Sequence, residues 1–418
     1  MNRKKFAIYV GMVAITAGIC GCGGGSTSSV PPPTGTPVAV TFAGVAPLAV
    51  AVQTGTGKWA TASASGGTLS FTVPKGTTTY AIAYVCPGYP GMGATVNSEY
   101  VIEASTQDST TYSTTCLAFP ATGSATGIAD ASVIAGATDI RIYGQGYGGA
   151  VGSKSGLFTA TLPNGMNDVA VVAVDGSPNV LGAKIVRSQT VPGAVNGGIL
   201  IALSGSDATT TQAISVTNLP PSFVSPPAVA VDYYTANGTW FPVNNTPATQ
   251  YAVVPSSEAQ TGDFYLFETN SADTATNQAI ATTQTTTSNG PMTLPLPAPW
   301  SYAGPTAAAF PSFTFNYSGY SGVAAVGNSA EIEWFPSSTV LDTATVTATA
   351  AYLNGATAVP VPDLTSLTGF FATAAHGATV YWVAEVWGGT AQWYSWYTPI
   401  PSSGSLSYVQ NRGTYVEP

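Results

Sequence analysis

Charge is scarce in this 418-residue chain, with Asp, Glu, Lys and Arg making up 7% of it against about 25% in a typical soluble protein. Basic residues are the rarer sign, ten against 19 acidic. That balance leaves no patch for phosphates, which argues against nucleic acid as a partner and against attachment to anionic lipid through lysines. Histidine occurs once, at His376. There is no His-Glu-x-x-His, Cys-x-x-Cys or EF-hand loop, so no metal or cofactor is expected. There is also no Gly-x-Ser-x-Gly elbow and no Ser-x-x-Lys, and no catalytic residue is assigned. His376 could form a Ser/His pair with Asp363 as orienter, but no serine is marked for it, and a plain turn histidine is the simpler reading. Helical periodicity is missing too. Asp363-Leu364-Thr365-Ser366-Leu367, after Pro362, could make one short turn.

What the chain has begins with Arg3, Lys4 and Lys5 followed by an apolar run from Phe6 to Ile19. A basic start, a short apolar stretch and small residues after it make a secretory signal. Fourteen residues are too few to cross a hydrocarbon core, which needs about 20. The run ends in Ile19-Cys20-Gly21-Cys22. Here the chain resembles a bacterial lipoprotein precursor, in which a small residue precedes the acylated cysteine and an aliphatic one stands three positions before it. Cys22 fits, with Gly21 and Ile19 in those places, whereas Cys20 would put Ile19 where a small residue belongs. The resemblance implies cleavage after residue 21, lipid on Cys22 and firm anchoring by several acyl chains. With Gly23 rather than Asp after the cysteine, it also implies the outer membrane, facing either the periplasm or the surface. An ordinary signal peptide cut at a small residue is the alternative. Loss of Arg3, Lys4 and Lys5 leaves seven basic side chains against 19 acidic, a balance of −12.

Residues 22–37 form the acylated cysteine and a Gly/Ser/Pro-rich tether without periodicity. From Val38 onward short strand patterns take over, rich in Val, Thr, Ala and aromatics. Hydrophobic residues make up 45% of the chain, enough for several cores. Thr, Ser, Asn and Gln are left to carry the solvated faces. Cys86 and Cys116, thirty positions apart in an exported chain, are expected to form a disulfide.

One pattern recurs. Thr68–Val73, Pro74-Lys75-Gly76 and Tyr80–Cys86 read as a hairpin, and Phe158–Leu162, Pro163-Asn164-Gly165 and Val169–Val174 repeat it 89 positions on. Trp-closed turns recur near Trp240 and Trp387–Trp393. A period near 90 suits sandwich modules. The expected fold is all-β, with several tandem β-sandwich modules that resemble immunoglobulin-like or transthyretin-like (carboxypeptidase-regulatory-type) domains. The expected borders are 38–119, 120–204, 205–300 and 301–418, the third being the least sharp. Stacked in series, they would place 301–418 farthest from the membrane.

Two places could carry a site. Glu331 and Glu333 share a strand face opposite Ile332 and Trp334. They could hold calcium or act as a carboxylate pair on a sugar, but a solvated face explains them as well. Richer is Tyr381–Tyr397, where Tyr381, Val383, Glu385 and Trp387 point one way and Trp382, Ala384 and Val386 the other. Trp393, Tyr394, Trp396 and Tyr397 follow. Rings with a neighbouring carboxylate could stack on apolar sugar faces, which makes Trp387, Trp393, Trp396 and Glu385 candidate ligand residues. Core packing is the competing reading. The sequence therefore leads to a lipid-anchored, non-enzymatic envelope protein that is structural or binds glycans or other envelope proteins. A carbohydrate-binding role is the alternative and an envelope hydrolase a distant third.

Overall fold

The computed structural model describes residues 34–91, 93–116, 121–177, 179–245, 249–319, 325–391 and 400–418. Residues 1–33, with the expected signal sequence, Cys22 and most of the expected tether, lie outside the described residues, as do Trp393 and Trp396. Of the described residues 58% are strand and 3% helix, an all-β protein as its composition implies.

The strands fall into four sets. The first is β1 (Gly35–Gly44), β2 (Ala49–Thr54), β3 (Ala60–Ala62), β4 (Thr68–Pro74), β5 (Thr79–Gly91), β6 (Ala94–Ser105) and β7 (Thr111–Cys116). The second is β8 (Thr122–Asp130), β9 (Asp139–Gly144), β10 (Gly146–Ala150), β11 (Ser155–Pro163), β12 (Gly165–Val174), β13 (Val180–Val191), β14 (Gly193–Ala194) and β15 (Ile201–Ala202). The third is β16 (Thr210–Thr217), β17 (Ala228–Tyr234), β18 (Trp240–Pro242), β19 (Gln250–Val253), β20 (Phe264–Asp273), β21 (Gln278–Thr286) and β22 (Met292–Pro295). The last is β23 (Ser312–Thr314), β24 (Ala325–Ser337), β25 (Val340–Thr349), the single-turn α1 (Ala350–Leu353), β26 (Ala358–Pro360), β27 (Thr379–Gly389) and β28 (Gly404–Val416).

One strand order recurs in each set. In the first, β4-β1-β7 forms one layer and β3-β2-β5-β6 the other. The second repeats it as β11-β8-β14/β15 over β10-β9-β12-β13, and the third as β19-β16-β22 over β18-β17-β20-β21. In all three the last strand runs parallel to the first. The fourth gives β26-β23 over β25-β24-β27-β28. Beside β23, where the other modules place their seventh strand, lies the segment before it. Trp300 and Tyr302 stack on Phe315 and meet Trp382 of β27 edge-on through Tyr302, while Trp300 O accepts from Asn411 Nδ2 at 2.7 Å.

The repeated Pro-x-Gly motifs connect strands that do not pair. β4 bonds to β1 and β5 to β2 and β6, so the turn crosses from one layer to the other instead of closing a hairpin. β11 and β12 do the same. The reason lies in the side chains. Leu69 and Val73 face Tyr80, Ile82 and Tyr84 across one core, and Phe158, Ala160 and Leu162 face Val169, Val171 and Ala173 across another. Gly76 and Gly165, which turn the chain, both have positive φ (89° and 106°), a conformation only glycine adopts freely. Within the first sandwich Cys86 and Cys116 are disulfide-bonded, with Cα atoms 5.2 Å apart.

The modules do not follow one another in a line. The four-stranded layers of the third, fourth and first join edge to edge into one twelve-stranded sheet, β18-β17-β20-β21-β28-β27-β24-β25-β6-β5-β2-β3. β28 pairs with β21 from Gln278↔Asn411 to Thr285↔Gly404, and β25 pairs in parallel with β6 from Val340↔Thr95 to Ala348↔Glu103. Residues 301–418 therefore sit between the first and third modules, not at a distal end. An unpaired strand edge exposes backbone donors and acceptors, and pairing across modules satisfies them.

The second module joins through a face. One side of β12 (Val169, Val171, Ala173) lines its own core, and the other (Ala170, Val172, Val174) packs on Val231, Tyr233, Phe241 and Phe267 of the third module. Arg187 of β13 pins this junction, donating to Asp168 at 3.0 Å, to Asp263 at 2.7 Å and to the Glu258 carbonyl at 2.6 Å. Asp263 also accepts from the Tyr233 hydroxyl at 2.9 Å, and Asp168 from Asn237 at 3.1 Å. Both carboxylates are buried. Removing the cation leaves two uncompensated buried charges. We expect Arg187→Met to lower stability by about 3–5 kcal/mol in urea unfolding. A loss below about 1 kcal/mol would show that the junction rests on apolar packing alone.

Candidate functional site

Strand register places the aromatic candidate region in the middle of the long sheet. β27 alternates as its sequence implies, with Trp382, Ala384 and Val386 in the core and Tyr381, Val383, Glu385 and Trp387 on the opposite, partly open face. Across β25, β24, β27 and β28, that face carries Thr345, Glu331, Val383 and Arg412 in one row. The next row carries Thr347, Ser329, Glu385 and Gln410. Gln410 Nε2 donates to Glu385 Oε1, and Arg412 Nη2 donates to Gln410 Oε1 at 2.9 Å. Glu385 thus belongs to a chain of polar groups that ends on a cation.

Trp387 is half-buried. Its ring lies 5.0 Å from that of Tyr408 at 49°, and it packs on Val326 and Leu406. Its Nε1 is buried without a hydrogen-bond partner among the described residues. Trp393 and Trp396 fall outside the described residues, so of the three tryptophans the structure places Trp387 alone. Glu331 and Glu333 lie on the same open face, flanking buried Ile332, and Glu331 accepts from the Thr345 hydroxyl at 3.1 Å. Among the described residues no group of three or more potential metal ligands occurs. Asp363 accepts from the backbone N–H and hydroxyl of Thr365, a local turn contact. His376 stands instead near Glu417.

The sheet's other face holds an arrangement that sequence reasoning missed. β2 and β5 alternate large and small residues. Val50, Tyr80, Ile82 and Tyr84 fill the first module's own core, while Ala51 and Ala83 face the fourth module's core. The chain after α1 crosses this small-residue face, where Gly369 comes close to Ala49. On β6 the same face carries Glu99, Val101 and Glu103, all buried. Glu99 accepts the Phe371 backbone N–H at 3.1 Å, and Glu103 accepts the Tyr352 hydroxyl at 3.3 Å. Burial, opposed only by these neutral donors, pushes both carboxyls up to about 7. The signal available in the sequence was the Ala49/Ala51 and Ala81/Ala83 alternation, since small residues on a strand's second face allow another layer to approach.

Glu99 also lines a cavity with Glu417, whose carboxyl is raised by burial and lowered again in part by His376. Two carboxyls with raised affinity for protons in one cavity are a feature of catalytic sites. This cavity measures about 20 Å³ and is walled by Ile332, Trp334, Phe371 and Val380, room for about one water. A second cleft of about 260 Å³ lies between Phe315, Tyr317, Leu353 and Val386. No protein-family model matches the chain, and a search of curated proteins finds no match.

The raised carboxyls fix a pH dependence of stability. Folded, Glu99 and Glu103 keep their protons up to about pH 7, and unfolded they release them near 4.5. This contribution is complete below about pH 4.5 and is lost as pH rises through about 7, by up to about 3 kcal/mol for each group. Urea unfolding should therefore give lower stability at pH 8 than at pH 5. Glu103→Gln should reduce that difference by about half. An unchanged difference in the variant would mean that Glu103 is solvated.

Proposed function

We propose that this chain is a lipid-anchored, non-enzymatic protein of the bacterial cell envelope, held in the outer membrane through Cys22 and acting as a binding scaffold. The observation that carries the binding role is the extended, partly open face of the twelve-stranded sheet. There Tyr381, Val383, Glu385 and Trp387 stand beside Tyr408, Gln410 and Arg412. A continuous sheet across three modules holds such a surface rigid, and rigidity reduces the entropy lost on binding. The one-water size of the Glu99–Glu417 cavity supports a non-enzymatic reading, because a substrate would not fit there. No helix among the described residues is long and apolar enough to cross a membrane, and an acylated Cys22 supplies attachment by other means.

Binding of neutral glycans is a second reading, favoured by one feature. Tyr381 is exposed on the same face as the half-buried Glu385 and Trp387, which sets an aromatic ring beside a carboxylate where an apolar sugar face and its hydroxyls could meet them. Envelope proteins are the other partners such a face suits, and the acidic balance disfavours anionic ligands.

Two experiments test these readings. Cys22→Ala should move the mature protein from the membrane fraction to the soluble one, and intact mass of the wild type should show acyl chains on residue 22. An unmodified residue 22 overturns the anchor. In a glycan array, alanine at Trp387, Trp393 and Trp396 together should abolish any binding that the wild type has. The half-buried Trp387 makes an unfolding control necessary, since truncating a packed tryptophan costs about 3–5 kcal/mol when fully buried. Unchanged binding by a stable triple variant removes the carbohydrate reading.

A further inference from the structure

We propose that residues 349–375 form an acid-closed cover over the small-residue face of the first module, with Glu99 and Glu103 as its latch. Every acidic side chain that the first module presents to the cover is met by a neutral donor. Glu99 takes the Phe371 N–H, Glu103 the Tyr352 hydroxyl, and Asp108 the Thr349 hydroxyl at 2.5 Å. The second carboxyl oxygen of Glu103 is buried with no partner among the described residues.

Among the described residues no Lys or Arg faces either carboxyl. Around Glu99 stand Asp342 of β25 and Tyr415 and Glu417 at the end of the chain, with His376 beside Glu417. Tyr352 of α1 faces Glu103, and Asp108 lies on the same side at Thr349. Residues 349–375 carry one charge, Asp363, which accepts from Thr365, and the fourth module has Arg412 as its single Lys or Arg, on the opposite face. Lys58 and Lys75 of the first module are exposed in turns. An ionised Glu99 or Glu103 therefore has only single neutral hydrogen bonds in an apolar layer, an arrangement that favours water entry or protonation.

The cover itself is built to separate from what lies under it. It has one helical turn, Ala350–Leu353, and a three-residue strand, β26, before a long stretch without regular structure. Toward the first module it meets alanines (Ala49, Ala51, Ala83), which bury little area each, while Leu364, Phe370 and Phe371 pack on the fourth module's core, Phe371 edge-on to Trp334. In acid, neutral carboxyls hold it closed. Above neutrality the charged pair draws in water and the cover opens, uncovering Leu364, Phe370 and Phe371.

Hydrogen exchange of the full mature chain at pH 5, 6.5 and 8, corrected for intrinsic rates, tests this. Opening of 364–375 should be at least about tenfold more frequent at pH 8 than at pH 5, with its midpoint near 7. β12 and β13 should not change. The Glu99→Gln/Glu103→Gln chain, which carries the neutral form's hydrogen bonds at every pH, should stay protected throughout. Equal protection of 364–375 at pH 5 and 8 overturns the proposal. So does a pH response that survives in the double variant, or one shared equally by β12 and β13.

Discussion

The structure depends on where its last strand goes. β28 is hydrogen-bonded along one edge to β27, its neighbour within the fourth module, and along the other to β21 of the third. β25 does the same for the opposite side of that module, pairing in parallel with β6. The fourth module thus fills a gap that the first and third would otherwise leave as two open sheet edges. Long-range pairing of this kind closes large loops, an entropic cost that slows its formation. It also converts modules of a repeated design into one continuous layer.

That constraint explains the composition. A strand buried on one face needs polar residues on the other, but many strands here are buried on both. β12 has Val169, Val171 and Ala173 on one side and Ala170, Val172 and Val174 on the other. β5 sets Tyr80, Ile82 and Tyr84 against Ala81 and Ala83. Few positions remain where charge is cheap, and the chain carries little of it. Where charge is buried, two solutions appear. Asp168 and Asp263 share Arg187 and a full set of donors. Glu99 and Glu103 have neutral donors only, which raises their affinity for protons. The first arrangement fixes a junction and the second makes one sensitive to acid.

Much of this was legible in the sequence, and the rest was not for identifiable reasons. Alternation in Tyr381–Trp387 gave the correct faces because period 2 is local. The Cys86–Cys116 bridge followed from the cysteine count together with the expected export. The Pro74-Lys75-Gly76 and Pro163-Asn164-Gly165 turns were located correctly, yet they cross between layers, since a turn motif marks reversal and not hydrogen-bond partners. Serial stacking failed for a related reason. Nothing local in Gly404–Val416 reveals that its partner is Gln278–Thr286, more than a hundred residues earlier. Nothing in the sequence marks Glu99 and Glu103, because their burial is created by a segment more than two hundred residues away.

The shared sheet is tested most directly by a covalent bond across its junction. Thr282 of β21 and Ser407 of β28 face each other with hydroxyl oxygens 2.9 Å apart. In a Thr282→Cys/Ser407→Cys chain, mild oxidation should form a second disulfide between these positions in nearly every molecule, with the native circular dichroism kept. Two thiols that stay free in the folded, oxidised protein would contradict the continuous sheet and return the third and fourth modules to independent bodies.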